Sequence, residues 1–207
     1  MAGINRSGKW VRPVSGGHHG LFLTECGVDD GWPRVLDVVR FGYVRRLEDP
    51  VQPENLLIDD SRWALRKKVS PGDAYKRLGR YLDGGPKLLG NRGAAVPEDE
   101  AAAGTNGSLA LIEPTAGVSL LMRPPEDEHG KLKPRVAFGF GRRKYELPLT
   151  DVPIEEAVKQ AGVGEYEPRE LGFDASGPVL LVISLAEAYN GWHHKLVAAV
   201  LFLPDEA

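Results

Sequence analysis

The sequence is poor in the residues that build covalent or metal-bound scaffolds. It contains one cysteine, Cys26, among 207 residues. A single thiol excludes an intrachain disulfide framework and a cysteine-based zinc site, and it fits a reducing, cytoplasmic compartment. No run approaches the about 18 apolar residues of a membrane-spanning helix, and the N-terminus lacks an apolar signal region. We therefore expect a cytoplasmic protein with no membrane segment.

Catalytic motifs are also lacking. Residues 84–87, Gly-Gly-Pro-Lys, have neither the spacing nor the Ser/Thr of a phosphate-binding loop, and no Gly-x-Ser-x-Gly elbow occurs. Cys26 follows Glu25, an acidic neighbour that does not favour a thiolate. Adjacent His193 and His194 on a strand would point to opposite faces and would not easily hold one ion. The sequence predicts a protein without enzymatic activity, cofactor or metal site.

Positive charge is unevenly distributed in a chain whose formal net charge is −3. Residues 34–80 contain 11 Lys/Arg against 7 Asp/Glu, and residues 131–150 contain 6 against 1. Two readings stay open. The blocks are either ordinary variation of surface charge or parts of a binding face for an anionic partner.

Short apolar runs separated by turn residues dominate the rest of the chain. Val136, Phe138 and Phe140 alternate as on one face of a strand, whereas residues 179–185 are almost continuously apolar, as in a strand buried on both faces. Helical patterns are confined to residues 73–84 and 151–162, which end near glycines. This pattern is typical of a mainly β fold made of small barrels or sandwiches.

The chain divides around residues 90–107, which are rich in Gly, Ala and acidic residues and have no large apolar residue except Val96. Such a stretch buries too little apolar surface to offset its ordering entropy, so we expect a linker or mobile loop. Residues 1–89 and 108–207 then form two domains, each of the size of an OB barrel.

Two apolar runs near the C-terminus flank a polar and aromatic segment. Asn190-Gly191 is a strong hairpin signal because both central residues of a type I′ turn need positive φ. Tyr189 and Trp192 then form a cross-strand pair that either caps the barrel end or stacks on a base. His193 and Lys195 follow, and Lys195 would be the cation beside that platform.

Two other stretches combine aromatic and basic residues. Trp10 and Arg12 share one face of a strand, either as core and rim residues or as a stacking pair. Arg142 and Arg143 lie at a tight turn before Tyr145, as a solvated tip or as part of a groove that follows phosphates.

Several motifs resemble a family of bacterial proteins, the dual OB-containing domain family. They are GKWVRPVS (residues 8–15), VLDVVRF (35–41), QPENLLID (52–59) and, most specifically, the stretch from 180 to 202. The resemblance covers nearly the whole chain. It implies two OB-like barrels in tandem with one or two short helices, and a role in binding nucleic acid or nucleotides, often in defence or conflict systems. It carries no catalytic residues.

The chain differs from the family at its beginning, where only MAGINRS precedes GKWVRPV. Family members have an additional strand there. Either the start codon is assigned late or the first barrel is incomplete, in which case it would have an unpaired edge or take a strand from a partner chain.

The sequence thus predicts a non-enzymatic module that binds nucleic acid or a nucleotide. The alternative is an adaptor that binds a protein partner. The candidate nucleic-acid-binding residues are Trp10, Arg12, Arg142, Arg143, Tyr189, Trp192, His193 and Lys195.

Overall fold

The computed structural model describes residues 1–16, 26–28, 31–103, 107–124 and 132–204. In these ranges no helix is both long and apolar enough to cross a membrane. The strands of the first half are β1 (Gly3–Ile4), β2 (Trp10–Val14), β3 (Asp37–Arg40), β4 (Tyr43–Arg46), β5 (Asn55–Ile58) and β6 (Ala64–Lys68). Those that follow are β7 (Ala95–Pro97), β8 (Leu109–Ile112), β9 (Ala116–Met122), β10 (Pro134–Phe140), β11 (Arg143–Pro148), β12 (Gly164–Tyr166), β13 (Val179–Tyr189) and β14 (Trp192–Phe202).

Three α-helices occur in the described residues, one more than the sequence predicts. Helix Pro71–Leu78 is capped at its N-terminus by Ser70, whose Oγ accepts a hydrogen bond from the Asp73 backbone N–H at 3.3 Å. Helix Val152–Ala161 follows Asp151 and ends at Gly162, which has φ 86°. Both were predicted, whereas helix Glu98–Ala102 was not. The fold is mainly β, as expected.

The second half forms a Greek-key barrel of the OB type, in which β8–β9, β10, β11, β13 and β14 are the five barrel strands and the short β7 and β12 are added at sheet edges. One sheet has the order β11-β10-β9-β12 and another the order β7-β14-β13-β8. Strands β8 and β9 are separated only by residues 113–115, so they act as one bent strand that belongs to both sheets. The helix Val152–Ala161 lies in the connection between β11 and β13.

The other seam of the barrel is closed where β11 ends. Leu149 forms a parallel bridge with Val197 of β14, and the Thr150 N–H donates to the Val197 carbonyl at 2.9 Å. Together with the bent β8–β9 strand, this bridge makes the barrel nearly closed. The predicted antiparallel pairing of the two C-terminal runs is present, with Val179 opposite Phe202.

One apolar core fills this barrel. Its buried side chains come from both sheets, from helix Val152–Ala161 and from the segment that precedes β8. The innermost include Leu88, Ile112, Leu120, Val136, Leu147, Val158, Leu181, Ile183 and Val197. Val136, Phe138 and Phe140 all point into it, as their alternation predicts.

The first half is a curved sheet with the order β1-β2-β5-β4, in which β2 and β5 run parallel, plus the separate pair β3-β6. Residues that precede GKWVRPV contribute β1, which pairs antiparallel with β2. On its other side β1 has no partner strand among the described residues. Whether a partner chain completes this barrel stays a prediction.

A second apolar cluster joins the two halves. Its buried members are Ala74 from the helix Pro71–Leu78 and Leu111, Leu180, Leu201 and Leu203 from the second half. Ile4, Trp10 and Val182 pack against it. Strands β13 and β14 therefore have a buried neighbour on both faces, which explains the almost continuous apolar run at 179–185.

Residues 90–107 differ from the expected linker. β7 within this stretch pairs with β14, its Val96 is 2% exposed, and the helix Glu98–Ala102 follows directly. Pairing through the main chain makes up for the shortage of apolar side chains, so most of the stretch packs on the second barrel. Residues 104–106 lie outside the described residues.

Candidate nucleic-acid interface

The hairpin that joins β13 to β14 has the predicted turn. Asn190 and Gly191 have φ values of 51° and 79°, which is the left-handed conformation that a type I′ turn needs. Tyr189 and Trp192 are register partners on either side of it. Their exposed fractions are 69% and 47%, so neither ring is part of the core. We call these two residues the aromatic tip.

The hairpin that joins β10 to β11 presents positive charge. Gly141 has φ 58° and turns the chain, and Arg142, Arg143 and Lys144 follow with exposed side chains. Arg143 Nη1 donates to the Arg92 carbonyl oxygen at 2.7 Å, which fixes the guanidinium beside a loop of the preceding segment. We call residues 142–144 the basic tip.

The two tips lie at the same end of the barrel. β11 and β14 run parallel at the Leu149–Val197 bridge, so both strands begin at one end. β11 begins six residues before Leu149 and β14 begins five residues before Val197. At about 3.3 Å per residue the two turns are therefore at similar heights along the barrel.

Residues 86–93 form a loop that contacts both strands at this end. A Cβ placed on Gly141 would lie 3.9 Å from the Pro86 backbone, so the basic tip passes close to the beginning of the loop. At the other end of the loop, Asn91 and Gly93 bind Lys195 of β14. The loop exposes Lys87 and Arg92, two cations that sequence reasoning did not select.

Lys195 is a structural residue and is closed to solvent, with an exposed fraction of 0%. Its Nζ donates to Asn91 Oδ1 at 2.8 Å, to the Gly93 carbonyl at 2.7 Å and to the Asn91 carbonyl at 3.1 Å. All three donors of the ammonium are used. Burial lowers the pKa of Lys195 to about 8. It positions the 86–93 loop and does not face a ligand.

His193 is also buried, at 6% exposure. Its Nδ1 donates to the Ala186 carbonyl at 2.8 Å, and its Nε2 has no hydrogen-bond partner in the described residues. The described residues contain no group of three or more potential metal ligands. We find no contact that would make His193 a ligand for nucleic acid.

Trp10 and Arg12 lie between the two halves. Trp10 is half-buried against the apolar cluster that joins them. Arg12 Nη2 contacts Glu54 Oε1 at 3.0 Å, Ser108 Oγ at 2.9 Å and Ser184 Oγ at 3.2 Å. Burial lowers the pKa of Arg12, and the Glu54 carboxylate counteracts this. Both groups are committed to internal contacts.

The surroundings of the two tips differ in charge. The Glu98 N–H, at the start of the acidic helix Glu98–Ala102, donates to the Gly191 carbonyl at 3.0 Å, so acidic side chains border the aromatic tip. The basic tip is bordered by Arg92 and Lys87. Of the eight candidates, Arg142, Arg143, Tyr189 and Trp192 therefore share one exposed barrel end, while the other four are buried or half-buried.

A Greek-key barrel of the OB type with exposed hairpins at one end is the general form of a binding module. Comparison with known protein families agrees with this OB-type fold. The sequence pattern of the dual OB-containing domain family matches residues 1–200, and the chain belongs to this family. A search of curated proteins and a search of solved structures each find no match.

Proposed function

We propose that the protein is a non-enzymatic module that binds single-stranded nucleic acid, or a nucleotide, at the barrel end that carries the two tips. The observation that supports this is the joint exposure of the basic tip and the aromatic tip at one end of an OB barrel. Cations supply contacts to phosphates, and aromatic rings supply stacking surfaces for bases.

The charge difference between the tips suggests an orientation for the ligand. Arg142 and Lys144 contact the phosphates together with Arg92 of the 86–93 loop. The acidic helix next to Gly191 repels phosphates, so the aromatic tip receives a base. Arg143 contributes less than Arg142, because part of its guanidinium is already held by the Arg92 carbonyl.

The first test replaces Arg142 and Arg143 by Ala and measures oligonucleotide binding by fluorescence anisotropy at several salt concentrations. Each lost phosphate contact lowers the slope of log affinity against log salt by about 0.7 for single strands, so we expect a decrease of about one to two units. A Lys76→Ala/Arg77→Ala variant, with two exposed cations removed from the helix Pro71–Leu78, is the control of equal charge.

The second test is Trp192→Ala. If the exposed ring stacks on a base, this change weakens binding by about 1–3 kcal/mol and leaves the salt slope unchanged. A folded Arg142→Ala/Arg143→Ala variant that binds as tightly as the wild type would remove the phosphate contacts from the proposal. A wild-type protein that binds no oligonucleotide or nucleotide at low salt would refute it.

The alternative function, a protein-interaction adaptor, would then be favoured. The acidic side chains beside the aromatic tip would also attract a basic peptide. The exposed rings could anchor such a peptide, since aromatic residues are frequent anchors in protein interfaces. Retention of Trp192-dependent binding to a protein partner, with no nucleic-acid binding, would support that alternative.

A further inference from the structure

A second cationic surface lies in the first half and is made of residues other than the eight candidates. Strands β3 and β4 follow each other along the chain, and so do β5 and β6. β3 pairs antiparallel with β6, and β4 pairs antiparallel with β5. The four strands therefore form one long, bent hairpin, residues 37–46 and 55–68, which we call the basic ribbon.

The bend of the ribbon is anchored from inside. Phe41 stacks on Trp63 with ring centroids 4.7 Å apart, and Trp63 is 2% exposed. At Gly42 the two strands approach so closely that a Cβ would lie 2.2 Å from Asp59 Oδ2. A larger residue at this bend would have to displace the Asp59 and Ser61 side chains.

The cations of the ribbon are exposed and have no carboxylate partner among the described residues. Residues with exposed positive side chains are Arg40, Arg45, Arg46, Arg62, Arg66, Lys67 and Lys68. Within the described ranges, none of them takes part in an ion pair, whereas Arg123 and Arg135 of the second barrel both pair with Glu146. Of the three acids on the ribbon, Asp37 and Asp59 already accept hydrogen bonds from backbone N–H groups.

Arg40 and Lys67 lie on the outer face of the β3–β6 pair. Val39 and Leu65 occupy the opposite face and pack against the Trp63 cluster. Residues Ala64–Lys68 form strand β6, so their side chains alternate between its two faces. The cations consequently follow the ribbon in a track and do not gather on one turn of a helix.

The strand pairing is irregular at two places along this track. The register shifts at Val44 between Tyr43 and Arg45, and again at Arg66 opposite Val38 and Val39. Bulges re-aim side chains and occur often next to functional sites. Tyr43 and Val44 are 56% and 63% exposed among the cations, so the track includes an aromatic ring.

We propose that the basic ribbon is a second binding surface for the phosphate backbone of a single-stranded nucleic acid, with Tyr43 as a stacking position. Unpaired cations of one sign repel each other, and an anionic polymer with regularly spaced charges relieves that repulsion. The ten residues 37–46 span at most roughly 30 Å, which is long enough to accompany several phosphates.

This inference takes its class of ligand from the proposed function, but it concerns other residues. The test compares Arg45→Ser/Lys67→Ser with the control Lys76→Ser/Arg77→Ser, so that both variants lose two exposed positive charges. Anisotropy titrations use single-stranded oligonucleotides of 10 and 30 nucleotides over a range of salt concentrations. Circular dichroism checks that each variant is folded.

We expect the ribbon variant to bind the 30-mer about tenfold more weakly at low salt and to lose about one to one and a half units of salt slope. The control should keep the wild-type slope. Tyr43→Ala should weaken binding without changing the slope. A ribbon variant with the same affinity and slope as the control overturns the inference. The inference is also overturned if the ribbon variant loses binding to polyglutamate, an anionic polymer without bases, but keeps its binding to the oligonucleotides.

The two proposals fail in different ways. If the Arg142→Ala/Arg143→Ala variant loses affinity while the ribbon variant matches the control, the barrel-end site stands and the ribbon site is wrong. If the ribbon variant loses affinity while the Arg142→Ala/Arg143→Ala variant binds like the wild type, the barrel-end site is wrong and the ribbon is the nucleic-acid surface.

Discussion

Lys195 lies in the most characteristic motif of the chain, yet its ammonium group makes structural contacts with the 86–93 loop. Nζ is saturated by the Asn91 side chain and by the carbonyls of Asn91 and Gly93. These groups belong to the loop that also carries Arg92, the residue whose carbonyl orients Arg143. Lys195 thus supports the basic tip indirectly, as a positioning residue.

The lowered pKa of Lys195 predicts a dependence of stability on pH. The folded-state pKa is about 8, and that of an unfolded lysine is about 10.4. Between these values the unfolded state binds more protons, so the free energy of unfolding rises with pH, by up to about 3 kcal/mol. A Lys195→Met variant lacks this contribution, and wild type should gain stability relative to it from pH 7 to pH 10.

Urea denaturation at several pH values measures this difference. Lys144→Met, at an exposed lysine, is the matched control and should show no such trend. Other titrating groups cancel because they are present in both proteins. A difference between wild type and Lys195→Met that stays constant over this range would contradict the prediction.

Sequence reasoning identified the types of residue at the site better than their roles. Arg142, Tyr189 and Trp192 lie at or beside tight turns, and a turn signal predicts exposure because it is local. The burial of Lys195 and Arg12 depends on partners about 100 residues away, Asn91 and Ser108, which no local pattern reports. Arg92 was missed because its role depends on the loop that Lys195 fixes.

At the scale of elements, the β13–β14 hairpin shows how local and tertiary signals agree. Asn190-Gly191 fixes the register, and the apolar runs on either side bury their side chains both in the barrel and against the first half. The 90–107 stretch shows the opposite case. Its composition resembled a linker, but β7 pairs with β14 through backbone groups, which every sequence possesses.

The turn of this hairpin gives a prediction for Gly191→Ala. Gly191 has φ 79°, and a Cβ there would meet no atom within 4 Å, so the cost is backbone strain alone. We expect a loss of about 1 kcal/mol, which lowers Tm by about 2–4 °C in a chain of this size. Asn190→Gly, at a position with φ 51°, should change Tm little. Equal effects of the two substitutions in thermal denaturation would argue against the type I′ assignment.

At the scale of the whole molecule, the two halves share a buried interface. On the outer surface of the second barrel, Leu111, Leu180 and Leu201 pack against helix Pro71–Leu78 and strand β2. Tyr75 donates to the Glu113 carboxylate across the same interface, at 3.2 Å. Such an interface keeps the basic ribbon and the barrel end in a fixed arrangement, so one nucleic-acid strand that contacts both would gain affinity from each.

Arg12 is the polar centre of that interface and gives the last prediction. The Arg12 side chain is 15% exposed, and that of its partner Glu54 is 5% exposed. Ser108 from the second half donates to the Glu54 carboxylate as well as accepting from Arg12. Arg12→Met leaves the buried carboxylate without its cation, and breaking a buried pair in this way costs about 3–5 kcal/mol.

Urea denaturation of Arg12→Met, Glu54→Gln and the double variant measures this contribution. Since Gln carries no charge, Arg12→Met/Glu54→Gln removes the unpaired carboxylate, and we expect it to be more stable than Arg12→Met alone. Arg12→Met and Glu54→Gln should each keep the wild-type salt slope for oligonucleotide binding, because neither side chain faces the proposed ligand. A loss below about 1 kcal/mol in Arg12→Met would mean that Arg12 does not hold the halves together. A lowered salt slope in a folded Arg12→Met variant would return Arg12 to the nucleic-acid-binding residues.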